Sequence, residues 1–302
     1  MKRLEAAQAE LLALGDAAPE RACTRIGSGD VHHLSVGAGP PVVLLHGAGG
    51  GAANWYRLFG RLGERRRILA PDLPGFGFSS PVPLRAPLGS CAADVIERWL
   101  DELAVPACDV IGTSFGALIG ARLAQRGRAT RLVVIDAVGL GSWLPWPVRA
   151  ACTSVGGRLL LRRQTRSGTR VMLRSLLTSN RLDPIHERAL VAWLHAAALA
   201  DESHYLERAL HMFGGWRGQA EVLSDEELRA LRVPTLIVWG GRDRFAPVAH
   251  AQRAARLLPH ARLAVIPDSG HSPNWERPAR LADLVMAFLD SAPAWRAGAA
   301  SA

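Results

Sequence analysis

Asp109-Val110-Ile111-Gly112-Thr113-Ser114-Phe115-Gly116-Ala117 reads as an apolar strand that runs through a glycine-bracketed serine into a helix. A Gly-x-Ser-x-Gly turn between a buried strand and a helix must be tight. Gly112 and Gly116 lack the Cβ atoms that would collide there, and the serine is lifted onto a strained corner with its hydroxyl exposed. The helix that begins at this point directs free N–H groups and its positive dipole end toward any oxyanion forming beside Ser114. Ser114 is therefore a candidate nucleophile. Taken alone, the five residues are read equally well as a structural glycine turn, and the rest of the chain has to decide.

Working outward, strand and helix patterns alternate. Upstream, Ala22 to Ile26 and Val31 to Val36 flank Gly27-Ser28-Gly29-Asp30, a hairpin signal. Pro41-Val42-Val43-Leu44-Leu45 reads as a buried strand ending in His46-Gly47-Ala48-Gly49-Gly50-Gly51, a loop so poor in side chains that something must approach its backbone. Ala53 to Leu62 is expected to be helical and Arg67 to Ala70 a short strand, followed by the rigid loop Pro71-Asp72-Leu73-Pro74-Gly75-Phe76-Gly77-Phe78-Ser79. Ser90 to Leu103 carries Val95, Ile96, Trp99, Leu100 and Leu103 at helical spacing, a core-facing stripe. Downstream, Leu132 to Asp136 is the next strand. The alternation predicts an α/β fold with a mostly parallel central sheet flanked by helices.

That pattern stops near Val138. Residues 139–223 show no convincing strand and read as an inserted helical cap, with helices around Val148 to Leu161 and Thr169 to Leu177, one from Asp183-Pro184, and one over Ser203 to Met212. Asp183 as N-cap with Pro184 at the first helical position is a good start signal. Sheet logic returns with a capping box at Ser224 and Glu227, the strand Thr235 to Trp239, a helix over His250 to Leu258, the strand Ala261 to Ile266 and a closing helix over Pro278 to Leu289. The expected organisation is an N-terminal helical extension over 1–20, a core made of 21–138 and 224–290, the cap over 139–223 and a disordered tail over 291–302.

Composition narrows the function classes. The chain has 302 residues, 49% hydrophobic and 21% charged, enough for one large α/β domain with an insert, and no apolar run approaches the ~18 residues of a membrane span. Glu5 and Glu10 interrupt the apolar region that a signal peptide beginning at Met1-Lys2-Arg3 would need, so 1–20 reads as an amphipathic helix with Leu4, Leu11 and Leu12 on one face, and the cytoplasm is the default expectation. Cys23, Cys91, Cys108 and Cys152 form no Cys-x-x-Cys pair and read as free thiols, with neither a disulfide frame nor a zinc site. The net charge of +9 comes almost wholly from arginine, since Lys2 is the only lysine. Those arginines are scattered without interleaved aromatics, and nucleic-acid binding is not expected.

Taken together, His46-Gly47 after a buried strand, Asp72-Leu73-Pro74-Gly75-Phe76-Gly77, Gly112-Thr113-Ser114-Phe115-Gly116, Gly241-Arg242-Asp243 with Pro247, and Gly270-His271 resemble the α/β-hydrolase family. The resemblance covers residues 20–138 and 224–290, and the chain order Ser, Asp, His is the family's own. It implies Ser114 as nucleophile, His271 as its base, Asp243 as the carboxylate behind the imidazole, and the backbone N–H groups of Phe115 and Ala48 as the oxyanion hole. Asp136 and Asp268 remain alternative carboxylates. His46 is expected to order the glycine loop and Asp72 its own loop. No metal and no cofactor are implied.

A serine at this position sets the chain apart from epoxide hydrolases and haloalkane dehalogenases, which use an aspartate there. Phe115-Gly116-Ala117 departs from the Trp-Gly-Gly common among proline iminopeptidase-like members, which disfavours peptidase action. The loop from His46 to Trp55 is similar to that of the meta-cleavage-product hydrolases, which cut carbon–carbon bonds beside a ketone. Those usually carry a proline in the glycine run and a tryptophan directly after the histidine, where this chain has Gly50 and Ser272, with Trp275 further on. The resulting expectation is a cofactor-independent serine esterase acting on an apolar acyl ester; a carbon–carbon hydrolase and a catalytically silent binding scaffold are the rivals. Nothing in the sequence fixes an oligomeric state.

Within the cap, Trp143, Trp146, Met212, Phe213 and Trp216, together with Gly47 and Trp275, are candidate substrate-pocket residues, though ordinary packing reads the cap aromatics as well. Arg158, Arg162, Arg166, Arg170 and Arg174 recur every four residues, with no acid between Arg149 and Asp183. Such a face suits an anionic substrate or a membrane surface. A solvated cap surface is the competing reading, because Ser167-Gly168-Thr169 is expected to break the helix and its register.

Overall fold

The computed structural model describes residues 1–161, 164–178 and 182–291, so Arg162 of the arginine series and residues 292–302 of the expected tail lie outside the described residues. In chain order the first part comprises α1 (Lys2–Leu12), β1 (Glu20–Ile26), β2 (Gly29–Val36), β3 (Pro41–Leu45), a 3₁₀ turn (Ala52–Trp55), α2 (Phe59–Gly63), β4 (Arg67–Pro71), α3 (Leu88–Glu102), β5 (Cys108–Thr113), α4 (Phe115–Gln125) and β6 (Ala129–Ile135). The insert follows as α5 (Trp146–Ala151), α6 (Ser154–Leu161), α7 (Arg166–Leu176), α8 (Pro184–Ala200), α9 (Tyr205–Phe213) and a ribbon of two short strands, β7 (Gly214–Gly215) and β8 (Gly218–Gln219). The chain then returns to the sheet through α10 (Asp225–Ala230), β9 (Thr235–Gly240), α11 (Val248–Leu257), β10 (Ala261–Ile266), α12 (Pro273–Glu276) and α13 (Pro278–Asp290).

Eight strands form one sheet in the order β1-β2-β4-β3-β5-β6-β9-β10, antiparallel at β1–β2 and β2–β4 and parallel from β4 onward. The central strands carry apolar runs, Val110-Ile111 in β5 and Leu132 to Ile135 in β6, because both faces are covered. Alternate side chains go to opposite sides: Val43, Leu45, Val110, Val134 and Trp239 pack with Ile96, Trp99, Ile119 and Ala251, while Val42, Leu44, Ile111, Val133 and Val238 pack with Phe59, Trp193 and Phe288. Burial of each large side chain is worth about 1.5–3 kcal/mol, so a polar substitution in β3 or β5 damages one of the two cores whichever residue it hits. The N-terminal helix belongs to the second core: Leu4 and Leu11 of α1 are buried there, and α1 lies against α8 of the cap.

Several local expectations are corrected. Ala53 to Leu62 is a 3₁₀ turn followed by a separate short helix. The single helix over Val148 to Leu161 divides into α5 and α6, because the Thr153 hydroxyl donates to the Ala150 carbonyl (2.7 Å) and accepts the Gly156 N–H (3.1 Å), capping the second helix. Ser167-Gly168-Thr169 does not interrupt a helix but lies in the first turn of α7, where Thr165 accepts from the Gly168 N–H. The cap also contains a short ribbon, β7–β8. Asp183 caps α8 by accepting from Ile185 N–H at 2.8 Å, and Ser224 with Glu227 closes the capping box on α10, both at the places the sequence marks. Among the described residues, no helix is long and apolar enough to cross a membrane.

Candidate active site

Strand β5, in the middle of the sheet, delivers Ser114 at its carboxyl end with φ 52° and ψ −115°, a region L-residues rarely enter and which stores strain. The bracketing glycines are dictated by space. A Cβ on Gly112 would lie 2.3 Å from the Gly116 carbonyl oxygen, and one on Gly116 would lie 2.1 Å from that of Leu45. The Ser114 N–H is held by the Ile135 carbonyl at 2.9 Å, which ties the turn to β6.

The Ser114 hydroxyl is 3.2 Å from Nε2 of His271, whose Nδ1 is 2.8 Å from Asp243 Oδ2. This distribution puts the imidazole proton on Nδ1, donating to the carboxylate, and leaves Nε2 free to accept from Ser114. Asp243 is fixed in turn: its other oxygen accepts the N–H groups of Phe245 (2.6 Å) and Ala246 (3.0 Å), and its carboxyl is wholly shielded from solvent. The Phe245 ring covers His271 at a centroid distance of 4.5 Å. The cap also takes part, because the His271 N–H donates to the Leu176 carbonyl at the end of α7 (2.8 Å).

Of the alternative carboxylates, Asp268 is exposed and paired with Arg277 at 2.6 Å, away from the imidazole. Asp136 lies closer. It is fully buried, accepts the Gly240 N–H at 2.8 Å, and is pushed well above the usual carboxylate range first by burial and then by the neighbouring Asp243 charge. Burial and the Asp243 charge both favour its neutral form, while Asp243 makes the hydrogen bond to His271. Asp136, Asp243 and His271 bring three potential ligand atoms within 4.8 Å of one another. The contact of Asp243 with Nδ1 is already a full hydrogen bond, and burial disfavours the charged form of Asp136 that a cation would need, so the geometry fits proton handling better than a cation.

The glycine loop after β3 lies against the serine: a Cβ on Gly47 would come 3.3 Å from Ser114 Cβ. His46 orders this loop. Fully buried, it donates from Nδ1 to the Gly47 carbonyl (2.7 Å) and accepts the Leu73 N–H at Nε2 (2.8 Å), and burial pulls its pKa down to about 4. Asp72 holds both loops, accepting from Ala52 N–H (2.6 Å) and Phe78 N–H (2.9 Å), with burial pushing its carboxyl up to about 6. Among the described residues, the N–H groups of Phe115 and Ala48 donate to no protein acceptor.

Phe115 also forms the end of a narrow apolar cleft, about 20 Å³ in volume, lined by Leu73, Pro74, Phe76, Leu84, Leu88, Cys91, Ala92, Tyr205 and Ala209. Phe213 meets Phe115 edge-on at 6.4 Å, and Met212 packs half-buried on the same core. The other pocket candidates are placed elsewhere. Trp146 at the start of α5 is 74% exposed, Trp143 just before it 42%, and Trp216 at the turn of the β7–β8 ribbon 65%, so all three face solvent. Trp275 is buried in the second core, its indole N–H donating to the Asn54 carbonyl at 3.1 Å. Tyr205 and Ala209, which do line the cleft, sit one turn apart on α9; that spacing is visible in the sequence, but which helix face meets the core is not.

The chain matches the model of the alpha/beta hydrolase family over residues 42–284. It is 30% identical over 269 residues to a 2-hydroxy-6-oxo-2,4-heptadienoate hydrolase of Pseudomonas putida, covering 84% of this chain and 90% of that protein. Across 299 residues it is 29% identical to the dihydrolipoyllysine-residue acetyltransferase component of an acetoin cleaving system, also of Pseudomonas putida, with 93% and 74% covered. Among solved structures, a bacterial membrane phospholipase A superposes with a TM-score of 0.79 at 25% identity, covering 96% of this chain and 91% of that one. With a parallel sheet, a strained serine turn and a family match spanning most of its length, the chain belongs to the α/β-hydrolase family and is a hydrolase.

Proposed function

We propose that the chain is a serine hydrolase of carboxylic esters, acting through Ser114, His271 and Asp243 and an acyl-enzyme. The observation that carries this reading is the hydrogen-bonded line from the strained Ser114 hydroxyl through His271 to Asp243. His271 takes the Ser114 proton on Nε2 as the serine oxygen bonds to the ester carbonyl carbon, and the N–H groups of Phe115 and Ala48 receive the oxyanion. Collapse breaks the bond to the alkoxy oxygen, which leaves as an alcohol with the proton from His271. Water then attacks the acyl-serine, giving its proton to His271, and the acid departs as Ser114 regains its own.

An apolar acyl group suits the cleft beside Phe115, which has no charged side chain among its lining residues. About 20 Å³ is little more than the room for one water, so an acyl chain enters only as α9 and its Tyr205 draw back. Carbon–carbon cleavage of a vinylogous diketone acid is the second reading, favoured by the likeness to the heptadienoate hydrolase. Its substrate carries a carboxylate, and a cleft without a cation is a poor match for that group.

Fluorophosphonate labelling of the wild type but not of Ser114→Ala, with turnover of short acyl p-nitrophenyl esters, is the expected result. A labelled but ester-inert protein that bleaches a yellow ring-fission product would move the assignment to carbon–carbon cleavage. A folded protein that takes no label would leave a binding scaffold.

A further inference from the structure

Apart from Met1, Leu263 and Val265, every large apolar side chain exposed among the described residues belongs to the cap. Of its five most exposed, Val171 (70%) is on α7, and the other four are Trp146 (74%) on α5, Val155 and Leu159 (both 71%) on α6, and Trp216 (65%) at the tip of the β7–β8 ribbon. These elements are neighbours, since α5 packs on both α6 and β7. Arg149 fastens the tip to α5, donating to the Leu144 carbonyl at 2.7 Å and the Trp216 carbonyl at 3.2 Å. Leaving two indoles in water costs several kcal/mol of unrealised burial, so the molecule holds them there against the hydrophobic effect.

The charge around them has one sign. Residues 137–182 contain no Asp or Glu. Arg158, between Val155 and Leu159, and Arg217, beside Trp216, are exposed and have no acidic partner among the described residues. In α7, by contrast, Arg170 and Arg174 both pair with Glu187, at 3.2 and 2.9 Å, so of the arginine series read from the sequence these two are neutralised and Arg158 is the member that stands on this face.

We propose that the outer face of α5, α6 and the β7–β8 tip docks on the surface of a lipid bilayer carrying anionic headgroups, with Trp146, Trp216, Val155 and Leu159 entering the interfacial layer and Arg158 and Arg217 meeting phosphates. Indoles beside guanidinium groups match an interface that is apolar below and anionic above. A second copy of the chain is the poorer occupant, because two-fold pairing through this patch brings Arg158 and Arg217 against the same cations of the other copy. The face has a route to the hydrolase site: α9 lies under α5 and α6, and its Tyr205 and Ala209 form the wall of the apolar cleft. The bilayer would rest one helix layer from the cleft, where amphiphilic molecules leave it.

The test is flotation of the full chain with phosphatidylcholine vesicles, with and without phosphatidylglycerol, at low and high salt. It reads binding alone and so stands apart from the test of ester hydrolysis. Wild type is expected to float with the anionic vesicles and to be released by salt. Arg158→Glu with Arg217→Glu should weaken partitioning by at least about fivefold per charge removed, and Trp146→Ser with Trp216→Ser should abolish both flotation and quenching of indole fluorescence by brominated lipid. All four side chains are exposed, and unchanged circular dichroism checks that the variants fold. Failure of the wild type to float, flotation indifferent to anionic lipid, or flotation unaffected by loss of the two tryptophans overturns the proposal. A concentration-dependent dimer that the tryptophan variant loses, without lipid binding, would overturn it in favour of a self-contact.

Discussion

The carboxyl end of the sheet that carries Ser114 and the exposed tip of the helical cap are built on opposite terms. In the core, backbone approaches backbone: a Cβ on Gly240 would stand 1.9 Å from the Gly270 carbonyl oxygen, and Gly112 and Gly116 are equally crowded. Ser114 and Asp243 are both held by main chain, Ser114 by Ile135 of the neighbouring strand and Asp243 by Phe245 and Ala246 of its own loop. In the cap, Gly156 and Gly218 are as crowded as those glycines, but at the exposed ribbon tip Gly215 has nothing within 4 Å of a would-be Cβ, and tryptophans stand in solvent. Residue types at the serine turn are set by collisions inside the molecule, and those at the ribbon tip are not. Substitutions should therefore separate the two regions by mechanism as well as by size.

The largest separation is in catalysis. Ser114→Ala is expected to lower kcat/KM by about 10⁴–10⁶-fold with little change in Tm, since the methyl group fits where the hydroxymethyl did. His271→Ala should fall into the same range, and the double variant should be no worse than either single one, because the residues act as a unit. Steady-state kinetics on a p-nitrophenyl ester decide it; additive losses would mean that the hydrogen-bonded line does not work as one device.

Next comes folding. Gly116→Ala drives a methyl group into the Leu45 carbonyl and is expected to cost more than about 3 kcal/mol, whereas Gly215→Ala in the cap should stay within about 0.5 kcal/mol. Urea denaturation of the pair measures the difference. Similar losses at the two sites would remove the contrast between a sterically closed serine turn and an open ribbon tip.

The same contrast explains what could be read in advance. Strands β3, β5, β6 and β9 are legible because they are buried on both faces, and Gly112-Thr113-Ser114-Phe115-Gly116 because few other residues tolerate that corner. The choice between Asp243 and Asp136 was not decidable from spacing, since both end a strand beside His271 and only the backbone N–H groups at Phe245 and Ala246 orient one of them. Trp143 and Trp146 were misplaced because large aromatics are usually interior, and a residue on the outside of the cap breaks that rule without any local mark. The split between α5 and α6 depended on one threonine hydroxyl that turns back on its own helix, a bond that residue spacing does not reveal.

His46 offers a smaller effect, confined to the core. Its Nε2 accepts the Leu73 N–H, so a protonated ring would set two donors face to face, and burial holds its pKa at about 4 against an ordinary 6.5. A base with a depressed folded pKa contributes stability that is complete above 6.5 and is lost as pH falls toward 4, here up to about 3 kcal/mol. Asp72, raised to about 6, works in the opposite direction, its contribution falling as pH rises from about 4 to 6. The diagnostic is therefore the difference between wild type and His46→Gln: the variant should be less stable at pH 7.5 and should lose less on acidification. Parallel melting curves from pH 7.5 to 4.5 would mean that the glycine loop does not depend on a neutral imidazole.

The gentlest effect belongs to the wall that cap and core share. Tyr205 lies edge-on to Phe76 at 5.7 Å, and Ala209 follows it one turn later, so the two close the cleft from the cap side while Leu73, Phe76 and Phe115 close it from the core. Tyr205→Leu removes a ring but keeps the site apolar, and should lengthen the preferred acyl chain. Ala209→Phe fills the same space and should shorten it. One methylene in an apolar pocket is worth about 1 kcal/mol or more, so each change is expected to move kcat/KM between neighbouring chain lengths by about tenfold. Opposite shifts in a p-nitrophenyl ester series would place the acyl group between α9 and Phe115, whereas two profiles identical to wild type would put it on a different path to Ser114.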